Sequence, residues 1–316
     1  MPRILIMITR IASAGLLLTL SLIHTSATAS TFEANTMRFD RMSVADGLAQ
    51  SSVLDIAQDQ TGYLWFATEG GLDRYDGISF THYRTERGNP NALASDFVRA
   101  LDMASDGSLW IATDGGGISR WDPATDQITT YRHTEGDRTS VASDRIRTIL
   151  ATDDGDVWVG TRDAGLNKLD TASGEFEHFV SDAGDASTLS SDKIFALEMD
   201  LSGSLWIATG AGLNRLDTGS GDITRIALDQ DIAEQYTGLR SLLVAQDGAI
   251  WVGTSNRGLI RYDVATNEIN HNRHAPEQPG SLSSNRVEAI FEDNIGRLRV
   301  GTDSGLNLLD ASSDEA

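Results

Sequence analysis

The chain contains no cysteine, so no disulfide holds it together, and its stability has to come from buried area and strand pairing. Basic residues are scarce as well: 25 Lys and Arg stand against 46 Asp and Glu, a formal charge of −21. A field of that sign repels nucleic acid and anionic membrane surfaces and favours solubility. Long apolar runs are missing with one exception, from Ile11 to Ile23, and its 13 residues fall short of the ~18 that cross a bilayer.

That run follows Arg3 and Arg10 and leads to the small-x-small site Ala27-Thr28-Ala29, the layout of a cleaved secretory signal. Residues 1–29 are expected to be removed, which takes the formal charge from −21 to −23, since two arginines and no acid leave. The mature chain, from Ser30, is expected to be periplasmic or secreted, with no membrane span and no nucleic-acid partner.

What the chain has in quantity is repetition. GYLWFATEGGLDRYD, GSLWIATDGGGISRWD, GDVWVGTRDAGLNKLD, GSLWIATGAGLNRLD, GAIWVGTSNRGLIRYD and GRLRVGTDSGLNLLD follow one another between Gly62 and Asp310, with anchors at Trp65, Trp110, Trp158, Trp206, Trp251 and Arg299. Successive anchors lie 45, 48, 48, 45 and 48 residues apart. Roughly 40 to 50 residues holding four short strands is one blade of a β-propeller.

In the first unit, strands are expected at Ser52 to Ala57, Tyr63 to Thr68, Leu72 to Tyr75 and Ile78 to Arg84. Alternating apolar and polar residues with Gly, Asp and Asn at the joints suit short antiparallel strands. The SDG, DDG, LSG, QDG and NIG tripeptides supply the positive-φ residue of a tight turn, and they lack the D-x-D-x-D-G spacing of a calcium loop. The five tryptophans are structural anchors, expected to pack between neighbouring sheets and bury ~150–250 Å² each. Arg299 is expected to weaken the packing of the last blade or to lie at an exposed rim, and Arg299→Trp is expected to raise thermal stability.

The fold is therefore all-β, a propeller of six four-stranded blades over residues 37–310, after a short linker at 30–36 and before an acidic tail at 311–316. The sixth unit stops after its third strand, while Arg38 to Ser43 resembles a fourth strand without a blade. Pairing the two would close the last blade with the N-terminal strand and cover two open edges. The alternative is a seven-bladed ring cut short.

The combination G-x-L-W-[IV]-[AG]-T-x-x-G-L-x-R-[YL]-D, introduced by FDRMSVADGLAQSSVLDI, closely resembles the two-component regulator propeller repeat from Met37 to Asp310. The resemblance implies an extracytoplasmic input domain of the kind found in histidine kinases, hybrid two-component sensors and diguanylate cyclases. It implies a small-molecule or saccharide ligand and a membrane sensor kinase or cyclase as partner. The family's immunoglobulin-like module, membrane helix and kinase or cyclase have no counterpart here, so the chain is expected to lack its own effector domain. An antibiotic-lyase propeller with similar repeats is the enzyme alternative, and an interaction scaffold is a third reading.

Within such a ring, residues that every blade repeats build the fold. Ser95-Asp96, Ser143-Asp144, Ser191-Asp192 and Ser284-Asn285 are read as loop caps, because these short side chains readily accept from nearby backbone N–H groups. Positions that vary in fixed surroundings are the better ligand candidates. One such position, second in each inner strand, holds Leu54, Arg99, Arg147, Phe195, Arg240 and Glu288. Arginines there bind a carboxylate or sulfate, or else pair with loop acids. Arg162 and Arg257 join the candidates because they interrupt otherwise small turns. His82, His133, His178, His271 and His274 fall on or beside outer strands that diverge, so no metal centre is expected; no carboxylate dyad, catalytic residue or cofactor is singled out.

Overall fold

The structure is a computed structural model that describes residues 41–228 and 238–309. A first unit, Met1–Arg41, falls outside the described residues except for Arg41; the second, from Met42, carries every strand. The signal segment 1–29, the linker 30–36, residues 38–40 of the strand expected from Arg38 to Ser43, and the tail 311–316 lie outside the described residues; residues 41–43 are described and form no strand, Ser43 instead capping the short helical turn Val44–Asp46.

Six blades form a β-propeller. Blade one holds β1 (Val53–Gln58), β2 (Leu64–Thr68), β3 (Gly71–Tyr75) and β4 (Phe80–Tyr83). Blade two holds β5 (Val98–Met103), β6 (Leu109–Thr113), β7 (Ile118–Asp122) and β8 (Gln127–Tyr131). Blade three holds β9 (Ile146–Ala151), β10 (Asp156–Thr161), β11 (Leu166–Asp170) and β12 (Phe176–Phe179). Blade four holds β13 (Ile194–Met199), β14 (Ser204–Thr209), β15 (Gly212–Asp217) and β16 (Ile223–Ile226). Blade five holds β17 (Leu239–Val244), β18 (Ile250–Thr254), β19 (Leu259–Tyr262) and β20 (Ile269–Asn272). Blade six holds β21 (Val287–Glu292), β22 (Leu298–Thr302) and β23 (Gly305–Leu309). Every sheet is an antiparallel meander in chain order, and the sixth has three strands among the described residues.

Local chemistry fixes the strand ends. Ile78 and Ser79, expected to open the fourth strand of blade one, lie instead in a turn, because the Asp76 carboxylate accepts from both backbone N–H groups at 2.8 and 2.7 Å. Each second strand ends on a threonine whose hydroxyl donates to a carbonyl across the following turn, as Thr113 does to Gly117 at 2.8 Å. Gly107, at φ 85°, stands for the glycine of the tripeptide turns and adopts the left-handed conformation expected of it.

The tryptophans knit the blades together. Trp65 packs with Leu93, Val98, Leu109 and Ile111 of the following unit, Trp110 with Ile146, Val157 and Val159, and Trp158 with Ile194, Leu205 and Ile207. Trp206 packs with Leu239, Ile250 and Val252, and Trp251 with Val287, Leu298 and Val300. All five are buried. The Arg or Lys of each repeat's third strand lies directly across from them: Trp65 pairs with Arg74, Trp110 with Arg120, Trp158 with Lys168, Trp206 with Arg215 and Trp251 with Arg261. The cationic groups sit over the indoles at 5.5, 5.9, 5.4, 5.7 and 6.0 Å, each contact contributing about 0.5–1 kcal/mol at such partly exposed sites.

Each of these tryptophans is buried by the blade that follows its own, and this explains Arg299. Among the described residues no blade follows the sixth, so its outward face has no partner that would bury an indole. The same asymmetry shows in the first residue of each inner strand. Val98, Ile146, Ile194, Leu239 and Val287 have no exposed surface, whereas Val53, which no preceding blade covers, is 36% exposed. Inner strands pack pairwise from β1 through β5, β9, β13 and β17 to β21; β21 and β1 do not pack in this way. Phe291, at 61%, and Leu308, at 53%, are exposed on blade six.

Candidate functional site

The inner strands aim the varying position by a shared irregularity. In all six blades the pairing of the first two strands skips one residue, between Val53 and Asp55, Val98 and Ala100, Ile146 and Thr148, Ile194 and Ala196, Leu239 and Ser241, and Val287 and Ala289. The skipped residues are Leu54, Arg99, Arg147, Phe195, Arg240 and Glu288. A bulge frees one residue from the ladder and re-aims its side chain, and here it delivers all six into one cavity of about 770 Å³. Arg162, from the turn after β10, reaches the same cavity.

Of the residues the sequence singles out, Arg99, Arg147, Arg162, Arg240 and Glu288 are brought together, and Arg257 is not among the lining residues. The Arg257 backbone N–H donates to Thr254 Oγ1 at 2.8 Å in its own turn. Sequence reasoning missed Arg145 and Lys193. Their signal was the position just after the Ser-Asp pair, which reads Phe97, Arg145, Lys193 and Arg286 where its neighbours stay fixed.

Charges in the cavity are unevenly paired. Asp114 is the hub: its Oδ2 accepts from Arg99 Nε and Nη2 at 3.2 and 3.1 Å and from Arg162 Nη1 at 2.5 Å. Arg145 Nε lies 3.7 Å from Asp114 Oδ1, and Arg145 Nη1 donates to Asp163 at 2.9 Å. Burial pulls the Asp114 pKa up, but the bonds from Arg162 and Arg99 outweigh it and hold it below the ordinary carboxylate value. Glu288 accepts from Arg240 Nη1 at 2.9 Å and from Arg286 Nε at 2.5 Å. Six cations, Arg99, Arg145, Arg147, Arg162, Lys193 and Arg240, thus line the cavity with two carboxylates, Asp163 and Glu288, while Asp114 pairs with Arg99, Arg145 and Arg162 from outside the lining.

Arg147 stands apart. It forms no ion pair and no hydrogen bond among the described residues, and its Nε is buried without a partner. Its guanidinium lies 4.1 Å over the Phe195 ring. Burial, then the charges of Arg162, Arg99 and Arg240, push its pKa down to about 10.

The same inner strands carry a second charge cluster. Asp55 accepts from the Leu101 backbone N–H at 2.8 Å and Asp102 from that of Ala151 at 2.6 Å, each reaching the inner strand of the next blade. Burial raises the pKa of Asp55, takes that of Asp102 to about 6 and that of Glu198 to about 7, the last two also feeling Asp55 and Asp102 respectively.

The Ser-Asp pairs close their loops. Asp96, Asp144, Asp192 and Asn285 accept from the backbone N–H groups of Thr85, His133, Ser181 and His274 at 2.6, 2.7, 2.6 and 2.8 Å. Ser95, Ser143, Ser191 and Ser284 accept from Phe97, Arg145, Lys193 and Arg286. His82 pairs with Asp73, while His133 and His178 bond the carbonyls of Val141 and Ser140. These three histidines are thus occupied in their own blade or the neighbouring loop.

Comparison with known proteins follows the repeat. The family model described as two component regulator propeller matches residues 47–70 and 140–163. A histidine kinase, P4, from Formosa agariphila is 50% identical over 46 residues, 15% of this chain and 3% of that protein. The crystal structure of the extracellular domain of the hybrid two-component system BT3049 from B. thetaiotaomicron matches with TM-score 0.54 and 22% identity, over 85% of this chain and 41% of that one. PorZ, a surface component of the type-IX secretion system of Porphyromonas gingivalis, matches with TM-score 0.65 and 18% identity, over 85% and 41%. A virginiamycin B lyase from Staphylococcus aureus matches with TM-score 0.59 and 16% identity, over 81% and 83%. At these identities the solved structures establish the propeller fold. The chain spans well under half of the two-component proteins it matches. No helix among the described residues is long and apolar enough to cross a membrane.

Proposed function

From a chain that carries two-component regulator propeller repeats, we propose an extracytoplasmic ligand-sensing module of a two-component or diguanylate cyclase type system, without catalysis of its own. One observation carries the reading. The ring varies at its bulge position, and the six side chains placed there, of four kinds, meet in one cavity: Leu54, Arg99, Arg147, Phe195, Arg240 and Glu288. A symmetric scaffold that binds an asymmetric molecule has to read it at such a place, and pockets of roughly 300–1,000 Å³ hold small-molecule ligands. The repeated polar residues are already engaged in loop closure, which leaves recognition to the ones that differ.

Further support comes from the N-terminal segment, read as a secretory signal, and from the family's place as input domain of membrane sensors. In this reading a small molecule or saccharide occupies the cavity, and a membrane kinase or cyclase reads the occupancy. The test is a thermal-shift screen of the mature protein against carbohydrates and organic anions, followed by mass spectrometry of the bound compound. Stabilisation with the compound recovered unchanged is expected. Recovery of a cleaved or eliminated product would overturn the reading in favour of a lyase or hydrolase.

A further inference from the structure

We infer that the cavity takes a small anion bearing a carboxylate or sulfate group, seated on the guanidinium of Arg147. This rests on the sensing reading and names the chemical class of the ligand. Three features converge on it. The chain as a whole is strongly acidic, at −21, yet six cations and two carboxylates line the cavity, with Asp114 paired to three of the six from outside the lining. The excess is therefore local and built, not a reflection of composition.

Secondly, the other arginines have internal partners. Arg99 and Arg162 share Asp114, Arg145 holds Asp163, and Arg240 holds Glu288. Arg147 has none, and its Nε is a buried donor with nothing to donate to. A buried donor left unsatisfied is costly, and an arriving oxyanion removes that cost. Thirdly, Phe195 covers one face of the Arg147 guanidinium at 4.1 Å. Stacking orients the planar fork and leaves its edge for bidentate contact with a carboxylate or sulfate. Asp114 fixes Arg99 and Arg162, whose charges already reach Arg147.

The experiment is calorimetric titration and thermal shift at constant ionic strength with matched pairs, glucuronate against glucose and galacturonate against galactose, together with sulfate and citrate. Proteins compared are the mature wild type, Arg147→Gln, Arg147→Lys and Glu288→Gln. Acidic members are expected to bind and neutral members to bind at least tenfold more weakly. Arg147→Gln is expected to lose about 10- to 100-fold in affinity, the scale of a charged bidentate contact, with Arg147→Lys between it and wild type. Glu288→Gln, which removes a competing carboxylate, is expected to tighten binding. Because Arg147 has no ion-pair or hydrogen-bond partner among the described residues and its stacking on Phe195 contributes little to stability, Arg147→Gln is expected to melt close to wild type, which separates lost binding from lost folding. Two results overturn the inference: neutral and acidic sugars binding alike and indifferent to Arg147, which leaves the sensing reading standing, or no oxyanion binding at all. Turnover of a bound compound would instead strike the sensing reading itself.

Discussion

Arg299 donates to the Asp293 carboxylate at 3.3 Å, six residues back, and so takes over the bond that Trp65 makes to Asp59 and Trp206 to Asp200, each at 2.9 Å. The polar half of the anchor survives in blade six while the apolar half is gone. Its partner across the sheet changes in step: the cation of the third strand is replaced by Leu308. Asp293 also accepts from Arg297, and although burial opposes it, the backbone N–H groups of Arg297 and Ile295 with the Arg297 guanidinium hold its pKa down at about 2.

Arg299→Trp is therefore expected to bring no rise in melting temperature, contrary to what the repeat alone suggests. An indole at this position keeps its N–H bond to Asp293, but no following blade covers its ring. In contrast, Trp206→Ala, which empties a fully buried site between blades four and five, is expected to cost about 3–5 kcal/mol. Thermal melts of both variants check this, and a gain of several degrees for Arg299→Trp would show that something buries the face of blade six.

The tight fit within and between blades predicts a contrast among glycines. A Cβ built at Gly160 would stand 2.5 Å from Thr148 Cγ2 of its own blade and 2.6 Å from Ile194 Cγ2 of the next, and one at Gly253 would meet Ser241 Oγ of its own blade and stand 2.7 Å from Val287 Cγ1 of the next. At Gly301 the nearest atom is Ala289 Cβ at 3.7 Å, in its own blade. Gly160→Ala and Gly253→Ala are expected to destabilise by about 1–3 kcal/mol through overpacking, and Gly301→Ala to be neutral within about 0.5 kcal/mol. Denaturant unfolding of the three single variants is the measurement; equal losses at all three sites would count against the open space beside Gly301.

The fold was legible because its signal is repeated in register: Trp65, Trp110, Trp158, Trp206 and Trp251 each mark a second strand, and the glycine turns follow. The candidate site was legible by the opposite signal, disagreement at one register position, which placed Arg99, Arg147, Arg240 and Glu288 together. Arg257 does not join them in the lining of the cavity, since variation in a turn does not tell which way the turn points. Arg145 and Lys193 were missed because they follow the repeated Asp, and only three-dimensional proximity brings them to the bulge residues. The meaning of Arg299 was also out of reach, for what a tryptophan packs against belongs to the next blade and not to its own repeat.

Asp55, Asp102 and Glu198 make stability depend on pH in a defined direction. Burial raises the folded-state pKa of Glu198 from its ordinary 4.5 to about 7, with Asp102 adding to the effect, and that of Asp102 from 3.8 to about 6, with Asp55 adding. Among the described residues no hydrogen bond offsets the burial of Glu198, whereas the Ala151 and Met103 N–H groups partly offset that of Asp102. Between about pH 4 and 7 the folded protein binds more protons than the unfolded chain, so this contribution is complete below the unfolded pKa and is lost as pH rises through the folded one. Stability is expected to decline from about pH 5 to pH 8. Glu198→Gln mimics the protonated acid, and is expected to leave stability near pH 5 almost unchanged while adding about 1–3 kcal/mol at pH 8. Aspartates whose pKa is depressed, Asp293 among them, act in the other direction and only below about pH 4, so the two windows separate. Melting temperatures from pH 4.5 to 8.5 for wild type and Glu198→Gln decide the matter: parallel curves would exclude Glu198 as a source of the slope, and convergence at low pH with divergence at high pH would establish it.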